Sequence, residues 1–322
     1  MPELLRIEEI KQHFSSGKGL FKPGYTVHAV DGVSLSVNKG ETLGLVGESG
    51  CGKSTLGRTI LKLFEPTSGQ IFFDGRDITS LSTKEMRSLR QEMQIIFQDP
   101  TESLNPRHTI EMILEEPYVI HGVGTPEERR KWVAELLVKV GLPESAASRY
   151  PHEFSGGQKQ RIGIARAIAL KPKLIVCDES VSALDVSVQA QILNLLLSLQ
   201  KEMDLALVFI AHDLSVVKHI SDKVAVMYLG KIVEYGEAEA VYHSPKHPYT
   251  KALLSAIPVT HPRFRGKERV ILTGDVPSPI NPPKGCRFYS RCSKAELHCK
   301  SHEPLRQTVD QNQHEVACHL YD

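Results

Sequence analysis

The chain has 322 residues, a net charge of +1, 41% hydrophobic residues and 24% charged residues. This is the composition of a globular protein, and the near-neutral charge gives no broad basic field for binding nucleic acid. No apolar run approaches the roughly 18 residues of a membrane span. The N-terminus has neither the basic start nor the apolar core of a signal peptide. We therefore expect a cytosolic protein in which any membrane role comes through a partner.

The first predicted elements are strands. Residues 4–10 alternate like an edge strand that ends near Phe14, residues 15–24 read as a Gly-, Lys- and Pro-rich loop, and residues 30–37 form a second strand. An aromatic side chain near the end of the first strand could stack on a purine. Phe14 and Tyr25 are both candidates, although packing is the commoner role of such side chains.

A phosphate-binding loop follows the next strand, which covers the apolar run 43–46. The pattern GxxxxGK[ST] then leads into a helix. Its glycines let backbone N–H groups point at an anion, and the helix adds its N-terminal positive charge. Lys53 can reach the β- and γ-phosphates of a nucleotide, and the Ser54 hydroxyl can ligate Mg²⁺. The predicted nucleotide site comprises Gly47, Glu48, Ser49, Gly50, Cys51, Gly52, Lys53, Ser54 and Thr55.

A strand over residues 92–98 and a helical block follow. The strand ends at Gln98, which is either a plain strand terminus or, near a phosphate site, a ligand of Mg²⁺ or a group that orients water. From about residue 104 to 169 the pattern is helical, and Thr125-Pro126 opens a helix that stops at Gly141. A helical block inside a strand-rich nucleotide domain indicates a separate lobe.

A short polar segment, Ser155-Gly156-Gly157-Gln158, opens the next predicted helix. Ser155 suits the N-cap position, and the two glycines leave backbone N–H groups free to approach an anion. Taken alone, the segment is equally a small polar turn.

The run 174–177 is a fully apolar strand that ends in two carboxylates, Asp178 and Glu179. Uninterrupted hydrophobicity indicates a parallel strand covered on both faces, and ligands of open α/β folds sit at the carboxyl ends of such strands. Asp178 can hold Mg²⁺, and Glu179 can accept a proton from the water that attacks the γ-phosphate. The alternative is a solvated strand end.

The rest of the nucleotide domain follows the same logic. A turn at residues 182–185 precedes a helix over 186–203 and a buried strand over 205–211. That strand ends at His212, which is either structural or placed to reach a γ-phosphate. Residues 224–228 and 231–235 form a hairpin, and the domain finishes near Val241.

In this order, these pieces resemble the ATP-binding subunits of ABC transporters. Ser180 departs from the family pattern, which usually has Pro after the glutamate. Because Pro would stiffen the turn that presents Glu179, we expect a looser turn but still expect hydrolysis. The correspondences are the P-loop to Walker A, Gln98 to the Q-loop, residues 154–158 to the signature with Phe154 for the commoner Leu, Asp178 to Walker B, Glu179 to the catalytic glutamate, residues 182–185 including Asp185 to the D-loop, and His212 to the switch histidine.

The resemblance implies an α/β P-loop NTPase core with an antiparallel β subdomain and a helical subdomain at about residues 100–170, in a cassette of residues 1–241. It also implies that two cassettes face head to tail, so that Ser155, Gly156, Gly157 and Gln158 act on the partner's ATP. The implied partners are a second ABC ATPase subunit, a pair of transmembrane permease subunits and, indirectly, an extracytoplasmic peptide-binding protein. The protein would then lie on the cytoplasmic face of the cell membrane, without binding nucleic acid.

The tail, residues 242–322, indicates a subgroup of the ABC transporter ATPases. His247-Pro248-Tyr249-Thr250 and the run 253–258 resemble the C-terminal extension of oligopeptide, dipeptide and nickel importer ATPases. Residues 102–107 lean toward the F-type partner of such pairs. The predicted function is an ATPase that energises import of di- or oligopeptides.

Three other functions are alternatives to peptide import. A nickel importer ATPase is the main alternative. A soluble ABC ATPase of DNA repair or translation would need long coiled coils or two cassettes, and neither is visible in the sequence. A regulatory module that senses ATP or redox state without turnover is disfavoured by the presence of Glu179 and His212.

A Pro-rich linker at residues 277–283 precedes four cysteines spaced Cx5C, Cx6C and Cx18C. A cytosolic location argues against disulfides, because thiols are kept reduced there. The cysteines fit four thiolates around Zn²⁺ or an iron–sulfur cluster, or else four reduced packing cysteines. Zinc sites more often show CxxC pairs, and the family resemblance favours a [4Fe–4S] cluster as a structural staple of a small Cys-rich extension. The predicted ligands are Cys286, Cys292, Cys299 and Cys318.

Overall fold

The computed structural model describes residues 2–17, 24–182, 184–257, 270–272, 274–310 and 313–322. Residues 18–23 of the predicted loop, Ala183 of the predicted turn and Pro258 of the tail motif lie outside them. The strands are β1 (Glu3–Ser15), β2 (Thr26–Asn38), β3 (Thr42–Val46), β4 (Ser68–Phe73), β5 (Arg76–Asp77), β6 (Met93–Ile96), β7 (Leu174–Asp178), β8 (Ala206–Ala211), β9 (Lys223–Tyr228), β10 (Lys231–Glu237), β11 (Arg306–Thr308) and β12 (Glu315–Ala317). The helices are α1 (Lys53–Ile60), α2 (Thr83–Leu89), α3 (Pro100–Ser103), α4 (Ile110–His121), α5 (Pro126–Lys139), α6 (Gly156–Ile168), α7 (Val186–Met203), α8 (Leu214–Ile220), α9 (Ala238–His243) and α10 (Pro248–Ser255).

The chain divides into two compact units. The first contains Asn38–Glu41 and Ser80–Phe209, and the second contains Glu3–Val37, Thr42–Thr79 and Ile210–Asp322. The cysteine-containing tail therefore belongs to the same unit as the P-loop.

The first unit combines parallel strands with the predicted helical block. β6 and β7 pair in parallel, from Met93 opposite Leu174 to Ile96 opposite Cys177. Every residue of β7 is buried, as its unbroken apolar run predicts. Helices α3 to α6 fill the helical block, and α5 begins with the expected capping box between Thr125 and Glu128.

The second unit holds an antiparallel sheet in the order β2-β1-β4-β5. It also holds strands in the order β11-β12-β10-β9-β3, in which β3 runs parallel to β9. The predicted hairpin is present as β9 and β10, with Tyr228 opposite Lys231. The tail adds β12 to this hairpin, with Val316 opposite Glu234, a strand that the sequence analysis does not predict.

Candidate functional site

Two glycines shape the P-loop, residues 47–54, because the backbone of other segments lies against them. A Cβ atom added at Gly47 would lie 2.1 Å from the Met227 carbonyl oxygen, and one at Gly52 would lie 2.0 Å from the Ala29 carbonyl oxygen. Gly52 also has φ +105°, a conformation that other residues rarely adopt. A larger residue at either position would collide with these carbonyl oxygens and force the loop to shift.

Lys53 closes the loop on itself. Its side chain is buried, and Nζ donates hydrogen bonds to the carbonyl oxygens of Gly47 at 2.8 Å and Glu48 at 3.1 Å. Ser54 and Thr55 lie in the first turn of α1, which carries no acidic side chain. Such a helix N-terminus, with N–H groups that precede the intrahelical hydrogen bonds and with its positive dipole end, favours a phosphate. Burial raises the pKa of the neighbouring Cys51 thiol above its usual value.

The two aromatic candidates for adenine stacking are both exposed. Phe14 is 39% exposed and its ring meets Phe64 edge-on at 5.4 Å, whereas Tyr25 is 48% exposed. The choice between them stays a prediction.

The predicted base and the predicted Q-loop glutamine lie side by side in the first unit. Gln98 Nε2 donates to Glu179 Oε2 at 3.1 Å. Glu179 adopts φ +46°, a left-handed conformation that costs a non-glycine residue about 1 kcal/mol or more and is commoner at functional sites. Asp178 is buried at the end of β7. One boundary was wrong: β6 ends at Ile96, and Gln98 is exposed on the loop that follows.

The turn after Glu179 has its own anchor in place of the family proline. The backbone N–H and the hydroxyl of Ser182 both donate to the Glu179 carbonyl oxygen, at 3.1 and 2.9 Å. Ser180 is buried in this turn. These two bonds restrain the carbonyl that directly precedes Ser180, so the turn is held despite the missing proline.

The glycine segment forms the exposed start of α6. Ser155 and Gln158 make a reciprocal capping box, with Gln158 N–H to Ser155 Oγ at 3.3 Å and Ser155 N–H to Gln158 Oε1 at 3.0 Å. The preceding Phe154 is buried beneath the Arg149 guanidinium, 4.5 Å from the ring centre. Phe154 thus anchors a segment whose polar side chains face solvent. The S-x-x-Q spacing could have revealed the box from the sequence.

Two further predicted residues stand at element ends. His212 is exposed directly after β8, in the second unit. Asp185 occupies the N-cap position of α7 and is exposed, without a side-chain capping bond.

The cysteines of the tail converge. We call residues 284–310 and 313–322 the cysteine lobe. One cavity in it is lined by Cys286, Cys292, Cys299 and Cys318, together with His247, His298 and His319.

Lys294 N–H donates to Cys292 Sγ at 3.4 Å, and backbone N–H groups also act, against the larger effect of burial, to lower the thiol pKa values of Cys286 and Cys318. The N–H donors belong to the residue two positions after each cysteine: Phe288, Lys294 and Leu320. Burial raises the pKa of the Cys286 thiol to about 11 and raises the pKa of Cys292 and Cys318. Donors aimed at sulfur stabilise metal-bound thiolates, so the donor set suits a metal centre.

A smaller ligand group lies within the same cavity. One ligand atom each of His298, Cys299 and His319 lie within 4.8 Å of one another. This group suits a single ion bound by imidazole and thiolate, so zinc stays an alternative to a cluster.

Sequence reasoning missed the residues that join the tail to the P-loop and, separately, to the strands near it. Arg291 and Tyr249 both contact Glu48, and Arg287 donates to Asp31 and to the Leu229 carbonyl. No local pattern signals these contacts, since the partners lie far apart in the sequence. Tyr249 did stand in the quoted tail motif, but nothing there indicated what it touches.

Among the described residues, no helix is both long and apolar enough to span a membrane. The fold is that of ATP-binding cassettes of known structure. The dimeric structure of a post-hydrolysis state of the ATP-binding cassette MJ0796, bound to ADP and Pi, has a TM-score of 0.65 and 28% identity, over 73% of this chain and 99% of that chain. The structure of cbiO1 from Clostridium perfringens, part of the ABC transporter complex cbiONQ, has a TM-score of 0.66 and 30% identity, over 76% of this chain and 92% of that chain.

The family models agree with the fold. The model described as ABC transporter matches residues 30–182, and the model described as oligopeptide/dipeptide transporter, C-terminal region, matches residues 233–299. Oligopeptide transport ATP-binding protein AppF of Bacillus subtilis (strain 168) is 56% identical over 99% of this chain and 97% of that protein. OppF of Salmonella typhimurium is 52% identical over 98% of this chain and 95% of that protein, and the dipeptide transport ATP-binding protein DppF of Escherichia coli (strain K12) is 48% identical over 99% and 95%.

The chain belongs to the ATP-binding proteins of oligopeptide/dipeptide ABC transporters. Proteins of this family are ATPases coupled to transport, and they work as dimers with permease subunits at the cytoplasmic side of the membrane. The predicted family, ABC ATPase fold and enzymatic class are therefore confirmed, whereas the Cys-rich extension stays a prediction.

Proposed function

We propose that this ATPase energises the import of dipeptides or oligopeptides. The main support for ATP hydrolysis is the hydrogen bond from Gln98 to Glu179. This bond holds the Glu179 carboxylate in place, where it can accept a proton from water. The peptide class rests on the relatives, which are named for oligopeptide and dipeptide transport at 48% to 56% identity over nearly the whole chain.

In the proposed mechanism the P-loop N–H groups and Lys53 bind the β- and γ-phosphates of ATP. Ser54, Asp178 and Gln98 would hold Mg²⁺ through oxygen ligands, which suit this ion, and the ion would neutralise phosphate charge. Glu179 accepts a proton from the water that attacks the γ-phosphate, and His212 contacts that phosphate. Either Phe14 or Tyr25 stacks on the adenine.

We further propose that a second cassette completes the site. The exposed start of α6 would face the partner's γ-phosphate, with Ser155, Gly156, Gly157 and Gln158 supplying hydrogen bonds and the helix dipole. Asp185 would lie in the same interface. The partner is expected to be a similar but non-identical ATPase subunit, and the helical block with the Gln98 loop would dock on a pair of permease subunits.

Reconstitution tests this proposal. The protein is assembled in vesicles with its permease subunits and second ATPase, and uptake of a radiolabelled tripeptide is measured with a peptide-binding protein outside and ATP inside. ATP-dependent uptake should be strong with the wild type and nearly absent with Glu179→Gln. Uptake of radioactive nickel instead of peptide would assign the nickel branch, and ATP hydrolysis with uptake of neither would overturn peptide import.

We also propose that the cysteine lobe holds a [4Fe–4S] cluster on Cys286, Cys292, Cys299 and Cys318. The support is their convergence on one cavity and the hydrogen bond from Lys294 N–H to Cys292 Sγ. A bound cluster would supply covalent links between segments of a lobe that has little apolar core of its own. We assign it a structural role.

Metal analysis decides between cluster, zinc and neither. Protein purified without oxygen or added metal should contain about four iron and four sulfide per chain if the cluster is present. Cys292→Ser should lose both, whereas Cys177→Ala should keep both, because Cys177 is buried in β7 and far in sequence from the lobe. One zinc without sulfide would replace the cluster by the alternative, and the absence of any metal would overturn the proposal.

A further inference from the structure

The P-loop carries a negative charge of its own. Glu48 follows Gly47 directly, within the loop that wraps a nucleotide's phosphates. A carboxylate so close to bound phosphate would repel it, because like charges separated by a few ångströms interact strongly where water is partly excluded. The loop therefore needs a way to neutralise Glu48 or turn it aside.

Arg291 of the cysteine lobe pairs with this carboxylate. Its Nη1 donates to Glu48 Oε2 at 2.6 Å and its Nη2 donates to Glu48 Oε1 at 2.9 Å, a two-bond fork. The side chains are 7% and 26% exposed, so water screens the pair less than it screens a surface ion pair. The fork fixes the direction of the carboxylate as well as its charge.

Arg291 is itself held in place. It ends a short 3₁₀ turn, Tyr289–Arg291, and its guanidinium lies 5.9 Å from the centre of the buried Tyr228 ring. Nη1 also reaches the Tyr228 hydroxyl at 3.5 Å. The hydrogen bonds to Glu48 hold the pKa of Arg291 above its usual value.

The backbone of Glu48 is gripped by the tail as well. Its N–H donates to the hydroxyl of the fully buried Tyr249 at 2.8 Å. Tyr249 packs edge-on against Tyr228 at 4.7 Å, and both rings contact Phe288 of the cysteine lobe. The Glu48 carbonyl, in the next peptide group, accepts a hydrogen bond from Lys53 Nζ.

We propose that Arg291 is a positioning residue for nucleotide binding. By neutralising Glu48 and holding its carboxylate to one side, Arg291 keeps the P-loop open to the phosphates of ATP. The C-terminal extension is thereby part of the nucleotide site of this chain. The inference rests on ATP binding by the P-loop and is independent of which metal, if any, the cysteines hold.

The test is the dissociation constant of the full chain for Mg-ATP, measured by isothermal titration calorimetry. Arg291→Ala should raise this constant about tenfold or more, because it leaves an unpaired carboxylate beside the phosphates. Arg291→Lys keeps the charge but not the two-bond fork, so its dissociation constant should lie between those of the wild type and Arg291→Ala. The matched control is Arg287→Ala. Arg287, like Arg291, is buried and directly adjacent to a lobe cysteine, but it bonds Asp31 and the Leu229 carbonyl, so ATP affinity should stay near wild type.

Charge rescue separates positioning from folding. Glu48→Gln combined with Arg291→Ala should recover most of the lost affinity, because the repelling charge is gone, whereas a merely misfolded lobe would not be rescued. The single variant Glu48→Gln completes the double-mutant cycle. An unchanged constant in Arg291→Ala, or a double variant as weak as Arg291→Ala, would overturn the inference. A wild-type chain that does not bind ATP would instead overturn the nucleotide function itself.

Discussion

The two glycines at the start of α6 offer a way to separate folding from catalysis, because they differ in their surroundings. A Cβ atom added at Gly156 would lie 3.6 Å from Leu184 Cδ2, an ordinary contact, whereas one added at Gly157 would lie 2.4 Å from Val188 Cγ1. Both positions belong to the segment proposed to face the partner's γ-phosphate. We therefore compare Gly156→Ala with Gly157→Ala.

The two substitutions should differ in their effect on the free energy of unfolding. Gly156→Ala should leave the free energy of unfolding unchanged or raise it by up to about 1 kcal/mol, since alanine is the better helix former. Gly157→Ala should lower it by about 1–3 kcal/mol, the usual range for overpacking. Val188 cannot easily rotate away, because a β-branched side chain has one strongly preferred rotamer in a helix such as α7. Gly157→Ala combined with Val188→Ala should restore the stability.

The ATPase activities of the two variants should not parallel their free energies of unfolding. A methyl group at either position lies where the phosphate would approach the backbone N–H groups, and loss of one such donor lowers kcat by about 100-fold or more. Urea unfolding of the purified chain and ATPase activity of the reconstituted transporter measure the two effects. Full ATPase activity in Gly156→Ala would refute the proposed contact with phosphate, and equal stability of the two single variants would refute the packing argument.

Three further predictions follow from the site. Glu179→Gln, mixed with the second ATPase subunit, should lower turnover by about 100-fold or more while ATP still binds, and the mixture should elute as an ATP-bound dimer in gel filtration. A monomer with ATP, or full turnover, would show that Glu179 is not the base. Lys53→Ala should weaken ATP binding at least about tenfold in calorimetry, because the ammonium that pairs with phosphate is gone, and an unchanged constant would contradict its role. Phe154→Ala should lower the free energy of unfolding by about 3–5 kcal/mol in urea, since it empties a buried site beneath Arg149. A loss below about 1 kcal/mol would show that Phe154 is not an anchor, and Phe14→Ala, at an exposed ring, is the matched control.

Local sequence patterns predicted most of the fold and most of the proposed catalytic residues. The P-loop, the apolar strand before Asp178 and the caps of α5 and α6 depend on residues only a few positions apart, so their physics is visible in the sequence. The same rules held signals that were overlooked, since Ser82 and Glu85 form a capping box that starts α2. The boundary at Gln98 was misplaced because apolar character continues past the last ladder pair at Ile96.

The sequence by itself determined that this chain binds nucleotide, because steric demands on glycines and the charges at strand and helix ends are short-range. Only the tertiary structure decided what the tail does. With 39 basic and 38 acidic residues in the chain, nothing in the sequence pairs Arg291 with Glu48 rather than with another carboxylate. That pair, the Tyr249 contact and the addition of β12 to β10 join segments separated by up to 243 positions. Such contacts form only when the fold closes long loops, and neither propensity nor periodicity encodes them.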